Sequence, residues 1–192
     1  MISIGIIDNF DDYRSVLQLL LEGMQDMEIT FAVKSADEAM IALTKTSIKV
    51  CIIDINLPGQ SGIDFIKWIT ASHPGTLCLI CTASDSDDKI FQSLEAGAHG
   101  YILKSTPPAA IVEAVKELCN GGSPMSNEVA RKVINGFSKK QPPATTLNKR
   151  EQELLELLSG GLTYKEISLQ LNTSIETVKR HCFNIYQKLH RR

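Results

Sequence analysis

Asp8 with Asn9, Asp54, Thr82 and Lys104 each close a short apolar run of this 192-residue chain. Runs of this kind read as buried strands, so each polar side chain falls at a strand end. A carboxylate there pays a desolvation cost unless a cation or hydrogen bonds meet it. One such Asp is an ordinary, satisfied strand end. Two carboxylates, a hydroxyl and a lysine at four strand ends form a constellation. Its chemistry suits a hard divalent cation held by oxygens, with a nucleophilic carboxylate beside it.

A second set of residues lies in 147–189. Asn148-Lys-Arg-Glu151, Thr163-Tyr-Lys-Glu166 and Thr173-Ser-Ile-Glu176 each place a capping side chain three residues before a Glu. This is the capping-box pattern, in which cap and Glu satisfy each other's backbone N–H. It predicts three helices, the last two separated only by Asn172-Thr173, as in a helix-turn-helix. On the last helix Ile175, Val178, Cys182, Ile185 and Leu189 form one apolar stripe. Arg180, Asn184 and Gln187 point the opposite way at 100° per residue, with Lys179 and Phe183 on the flank. Arg and Asn read guanine and adenine edges bidentately in the major groove. The plain alternative is a solvated face with scattered cations, but the tight turn before it favours recognition. Phe183 fits either a thymine methyl or packing against the rest of the chain. Lys165, Lys188, Arg191 and Arg192 are candidates for phosphate contacts, which position without specifying sequence. His181 and His190 could also meet phosphate, and no histidine pair has metal-ligand spacing.

The elements that must hold these residues alternate along 1–122. Apolar runs at 2–8, 29–33, 50–54, 77–82 and 100–103 are separated and followed by amphipathic helices near 12–24, 36–45, 62–72, 87–96 and 107–120. Runs such as Val50-Cys-Ile-Ile53 are apolar on both faces, as in a parallel sheet covered by helices. The expected fold is α/β, a doubly wound five-stranded parallel sheet, flavodoxin-like, followed by a small all-α domain. Ligands of such sheets bind at the carboxyl ends of the strands, where the polar residues sit. Gly121-Gly-Ser-Pro124 ends the first domain at about 122. Residues 123–144 read as a linker with one helix near 127–137 and a polar, proline-rich tether after it. Residues 145–192 form the helix-turn-helix unit.

Charge divides the same way. Residues 1–122 carry a net charge of -8 and residues 123–192 a net of +6, within a total of -2. An acidic front and a basic rear suit a cation-binding or regulatory domain joined to a nucleic-acid binder. The five cysteines are expected as reduced, buried thiols of a cytoplasmic protein. Cys78-Leu-Ile-Cys81 has metal or redox spacing, but on a strand its two thiols face opposite ways. No basic n-region precedes the first apolar run, and no run approaches the ~20 residues of a membrane span.

Three stretches resemble the receiver domain of two-component response regulators: Asp54-Ile-Asn-Leu-Pro-Gly-Gln-Ser-Gly62, Thr82-Ala83 and Gly100-Tyr-Ile-Leu-Lys104. Leu147-Asn-Lys-Arg-Glu151, Gly161-Leu-Thr-Tyr-Lys-Glu-Ile167 and Glu176-Thr-Val-Lys-Arg-His181 are similar to LuxR-type DNA-binding domains. The whole chain thus resembles a NarL/FixJ-type response regulator. The resemblance implies that Asp54 accepts a phosphoryl group from a sensor histidine kinase. Asp8 and Asn9 with the backbone carbonyl of Asn56 would hold Mg²⁺ beside it. Lys104 would pair with the phosphate, Thr82 would hydrogen-bond one of its oxygens, and Tyr101 would be the aromatic that changes rotamer on activation. Read from its own residues, Tyr101 is simply a half-buried strand aromatic. Active dimers on promoter half-sites in DNA are implied, with no membrane partner.

The chain departs from the family at Asn9, where a second acid is usual; the amide ligates without charge. Asp11 and Asp12 lie nearby and read as solvated residues of a helix start. LuxR-type domains also usually continue past the position of Arg192 into a fourth helix that often supplies a dimer contact. A shortened chain, a degenerate regulator and dimerisation through the receiver all remain open on this reading. The competing function is a degenerate receiver acting as a phosphorylation-independent interaction protein. An enzyme reading ranks last: Asn56 stands where a haloacid dehalogenase phosphatase needs an acid, and Gly59-Gln-Ser-Gly62 is no nucleophile elbow.

Overall fold

The computed structural model describes residues 1–139, 147–160 and 162–190, without the side chains of 136–139 and 186–190. Strands β1 (Ile2–Ile7), β2 (Met27–Val33), β3 (Val50–Ile53), β4 (Leu77–Thr82) and β5 (Gly100–Leu103) alternate with α1 (Asp11–Glu22), α2 (Ala36–Leu43), α3 (Gly62–Ser72) and α4 (Asp87–Glu95). Helix α5 (Pro108–Cys119) follows β5. The strands pair in parallel in the order β2-β1-β3-β4-β5. The chain therefore reverses its direction of travel between β1 and β3. A crevice opens at the carboxyl ends there, where open α/β sheets bind ligands.

Every residue of β3 is buried, as a strand covered on both faces requires. One core lies under α2, α3 and α4, around Ile53, Phe65, Ile69 and Ile80. The other lies under α1 and α5, around Ile6, Leu17, Ile52 and Val115. Cys78 belongs to the first core and Cys81 to the second, so the two thiols sit on opposite sides of β4. Burial pushes both up to about 12, which leaves them protonated and inert.

Gly62 shows why the loop after β3 carries glycine. A Cβ there would stand 2.1 Å from the backbone oxygen of Asp54, so any side chain would displace the strand end. The Gly62 N–H also donates to the Ile55 carbonyl at 3.0 Å, closing that loop tightly beneath Asp54.

Helix α6 (Asn127–Lys139) is integrated more deeply than a linker helix need be. The segment before it runs along the edge of the sheet, with Tyr101 N–H donating to Pro124 at 2.9 Å and Ser126 N–H donating to Tyr101 at 3.2 Å. Val129 and Val133 then enter the core beneath α4, while Ile134 enters the core of the last three helices. The expected tether falls mainly in 140–146, outside the described residues.

Helices α7 (Lys149–Ser159), α8 (Tyr164–Gln170) and α9 (Ile175–His190) close around Leu154, Leu158, Ile167, Val178 and Ile185. Two of the expected capping boxes form, Asn148 with Glu151 and Thr163 with Glu166. The third does not form at Thr173. Asn172 takes a left-handed φ of 48°, and Thr173 N–H donates back to Ser168 at 2.9 Å while Asn172 N–H donates to Leu169. This Schellman closure of α8 uses Thr173 to end one helix, so it cannot begin the next. Ser174 caps α9 instead, its hydroxyl accepting the Thr177 N–H at 3.1 Å.

Candidate functional site

Adjacent strands β1 and β3 run in register up to Ile7 and Ile53, so Asp8 and Asp54 emerge side by side. Both are buried at 2% exposure. Lys104, from the end of β5, reaches across and places Nζ 2.6 Å from Asp8 Oδ2 and 2.8 Å from Asp54 Oδ2. Each carboxylate's other oxygen accepts a backbone N–H: Asp8 Oδ1 from Phe10 at 2.9 Å, Asp54 Oδ1 from Asn56 at 3.2 Å. Burial raises the Asp8 carboxyl above its ordinary range, against the pull of Lys104. Burial also works against the Lys104 charge, but the hydrogen bonds of Asp54 and Asp8 outweigh it and hold the ammonium above its usual value.

Thr82 is fully buried at the end of β4, its hydroxyl facing the Ser84 N–H at 3.4 Å. Asn9 and Asn56 lie exposed at the mouth of the crevice. Asp11 is turned into an ion pair with Arg14 on the first turn of α1, while Arg14 also donates to the Asp8 carbonyl at 2.6 Å. Asp11 thus serves the helix start rather than the crevice. Two buried carboxylates, a nearby backbone carbonyl and an amide are oxygen donors of the kind Mg²⁺ accepts, since it takes one or two carboxylates and keeps several waters. Among the described residues no three His, Cys, Asp or Glu side chains gather into a closed metal cage. The donor set fits an open Mg²⁺ site, and in that fit Asn9 contributes no charge.

The residues around this centre extend it toward the C-terminal helices. Tyr101 is buried, and its hydroxyl donates to the Ser84 carbonyl at 2.8 Å, on the loop that follows Thr82. The next residue, Asp85, holds Lys132 of α6 at 2.6 Å. One short loop therefore touches both the end of β4 and the helix that shares its apolar face with α7.

On α9 the apolar stripe faces inward, with Val178 and Ile185 buried. Arg180 and Asn184 are exposed, as is Lys165 on α8. Lys179 is otherwise engaged: its Nζ lies 2.6 Å from Glu117 Oε2 of α5. Thr177, Lys179 and Arg180 line one cleft of about 340 Å³ with Glu113, Lys116 and Glu117. Phe183 lines a smaller apolar pocket with Met125, Val133 and Leu155, on the same side of α9. The side chains of Lys188 and Leu189, with Arg191 and Arg192, lie outside the described residues.

Five contacts were not legible in the sequence. Phe10 and Tyr13 each hold a ring 4.7 Å from the Lys104 ammonium. Lys89 Nζ donates to Asn56 Oδ1 at 2.8 Å. The Lys132–Asp85 and Lys179–Glu117 pairs join distant segments. Phe10 precedes α1 and Tyr13 lies in its first turn, three residues on; that spacing was the one available signal, and nothing local linked it to Lys104.

Comparison with known proteins agrees with this architecture. Residues 4–116 match the family described as response regulator receiver domain. Residues 145–192 match the bacterial regulatory proteins of the luxR family. The chain is 33% identical to the nitrate/nitrite response regulator protein homolog of Haemophilus influenzae, across 96% of this chain and 88% of the relative. It is 32% identical to the transcriptional regulatory protein LiaR of Bacillus subtilis, across 98% and 91%. Among solved structures, the response regulator ChrA of a heme-sensing two-component system is 30% identical, with a TM-score of 0.56 over 98% of this chain and 90% of that one. RcsB of Salmonella typhimurium, at 23% identity, shares the fold with a TM-score of 0.66 over 98% and 91%. With both family models matched in order and relatives aligned over nearly its whole length, the chain belongs to the two-component response regulators that join a receiver domain to a LuxR-type helix-turn-helix.

Proposed function

We propose that this chain is a DNA-binding transcription regulator switched by transfer of a phosphoryl group from a sensor histidine kinase to Asp54. The observation that carries this reading is the convergence of Asp8, Asp54 and Lys104 at the β1/β3 crevice. A carboxylate oxygen of Asp54 attacks phosphorus, the phosphorus–nitrogen bond to the kinase imidazole breaks, and its electron pair leaves with the ring. Asp8, Asp54, Asn9 and the Asn56 backbone carbonyl would hold Mg²⁺, which when bound offsets charge on the phosphoryl oxygens. Lys104 follows the new negative charge, and the Thr82 hydroxyl turns to donate to a phosphoryl oxygen. Such charge-assisted hydrogen bonds are strong enough to draw in the loop that supplies them. That loop carries Ser84 and Asp85, so its movement loads Tyr101 and the α6 lysine together.

The output is DNA binding by α9. Lys179, Arg180 and Asn184 would read bases, Phe183 would add an apolar contact, and Lys165 and Lys188 would hold phosphates. Lys179 and Phe183 face the α/β layers in this state, so reading DNA requires α9 to leave α5. Receivers pairing as a homodimer would then place two such helices on promoter half-sites. Among the described residues no helix is long and apolar enough to cross a membrane.

Mass spectrometry after acetyl phosphate and Mg²⁺ tests the acceptor. Wild type should gain one phosphoryl mass and Asp54→Ala none; equal labelling of both sinks the assignment. Arg180→Ala should cost about 1–3 kcal/mol at a selected DNA site and relax one base position. Unchanged affinity and unchanged selection in fluorescence anisotropy would remove α9 as the reading helix.

A further inference from the structure

The Lys104 ammonium is the cation of this crevice, and the structure gives it a seat of its own. It contacts both Asp8 and Asp54. The rings of Phe10 and Tyr13 also stand 4.7 Å from Nζ, both within range of a cation–π attraction. Tyr13 is anchored by its hydroxyl, 3.1 Å from the buried Cys81 thiol. Phe10 is tied by its backbone, whose N–H donates to Asp8 itself. Yet Phe10 keeps 58% of its surface exposed, an unusual position for a phenylalanine with no packing role. Covering the ammonium gives that ring a purpose.

We propose that Phe10 is a positioning residue: with Tyr13 it clamps Lys104 between Asp8 and Asp54, where the ammonium serves as a built-in counter-ion that a divalent cation must displace. The inference rests on the reading of this crevice as a Mg²⁺-dependent phosphoacceptor site. The ammonium already offsets the charge of both carboxylates and repels a second cation drawn to them, so every contact that holds it there weakens the incoming metal. With Asn9 supplying no charge, the competition is closer than a third carboxylate would make it. The clamp sets the threshold at which Mg²⁺, and with it the phosphodonor, gains entry.

The test is calorimetric titration of the unphosphorylated full chain with MgCl₂, comparing wild type, Phe10→Leu and Phe10→Tyr. Leucine keeps an apolar side chain but has no π face, whereas tyrosine keeps the ring. Phe10→Leu should bind Mg²⁺ about twofold to fivefold more tightly, the range a single exposed cation–π contact spans. Phe10→Tyr should match wild type. Equal affinities in all three, weaker binding by Phe10→Leu, or Phe10→Tyr moving with Phe10→Leu would each overturn the clamp while leaving the metal site standing. Absence of Mg²⁺ binding in all three would overturn the clamp together with the Mg²⁺ reading beneath it. Because Phe10 is largely exposed, the substitutions leave the core untouched, and an unchanged circular dichroism spectrum checks this.

Discussion

At the scale of single residues, the charge buried at the ends of β1 and β3 has a partner fixed beside it. Asp8 and Asp54 share one ammonium, and removing Lys104 would strand two carboxylates at a cost far above that of a surface pair. His99 is the neutral counterpart. Its Nδ1 accepts the Cys78 N–H at 3.1 Å, which requires that nitrogen to be unprotonated. Burial, and then the nearby charge of Lys49, hold its pKa below the ordinary value. A base with a lowered folded pKa binds its proton more readily when unfolded. Its contribution to stability is therefore present above about pH 6.5, the ordinary histidine value, and is lost as pH falls through that value toward the folded one. The melting temperature should decline as pH falls below about 6.5, and His99→Gln, which can still accept the Cys78 N–H, should flatten the slope. Parallel pH profiles for the two proteins would assign the decline elsewhere.

At the scale of elements, helix boundaries follow local hydrogen bonding more faithfully than motif spacing. Asn148 and Thr163 cap their helices as their sequences specify, with Glu151 and Glu166 returning the bond. Thr173 has the same spacing to Glu176 and fails, because Asn172 closes α8 through a left-handed turn that consumes Thr173 first. Ser174→Ala should therefore destabilise the C-terminal helices by about 1 kcal/mol, with Thr173→Ala costing clearly less. Urea unfolding followed by circular dichroism would show it, and the reverse order would restore Thr173 as the cap. Helix α6 carries a larger role than its position suggests. Val129 and Val133 seal one core, Ile134 joins another, and Lys132 grips the loop after β4, so α6 connects the loop beside the Asp8–Asp54 crevice to the helix-turn-helix.

At the scale of the whole molecule, the opposed charges of the two halves meet in a contact. The basic α9 lies against the acidic α5, with Lys179 on Glu117 and Arg180 lining the same cleft. Glu117 Oε1 is buried without a hydrogen-bond partner, so the pair is only half satisfied. Half-satisfied buried charge favours release once a competing state exists. On the proposed reading of α9, DNA would compete for the same lysine, and a pulled loop at Asp85 would shift α6 from the other side. Glu117→Gln should raise the affinity of the unphosphorylated chain for DNA by about fivefold, the worth of a partly screened ion pair. Anisotropy titrations at fixed salt measure this, and an unchanged affinity would show that the contact does not hold α9 back.

The amino-acid sequence by itself determined the alternation of buried strands and amphipathic helices, the four strand-end positions and the apolar stripe of α9. Each is written in patterns a few residues long, because backbone pairing, burial and capping impose local periods. Only the tertiary structure decided that β1 lies beside β3, which brings Asp8 next to Asp54 and lets Lys104 reach both from 50 residues away from the latter. It alone turned Phe10 and Tyr13 onto that ammonium, committed Thr173 to the end of α8, and set Lys179 against α5. Strand order, the seating of a side chain between distant elements and the docking of one helix on another are chosen by packing and charge across the assembled chain. No local window of residues contains the partners that settle them.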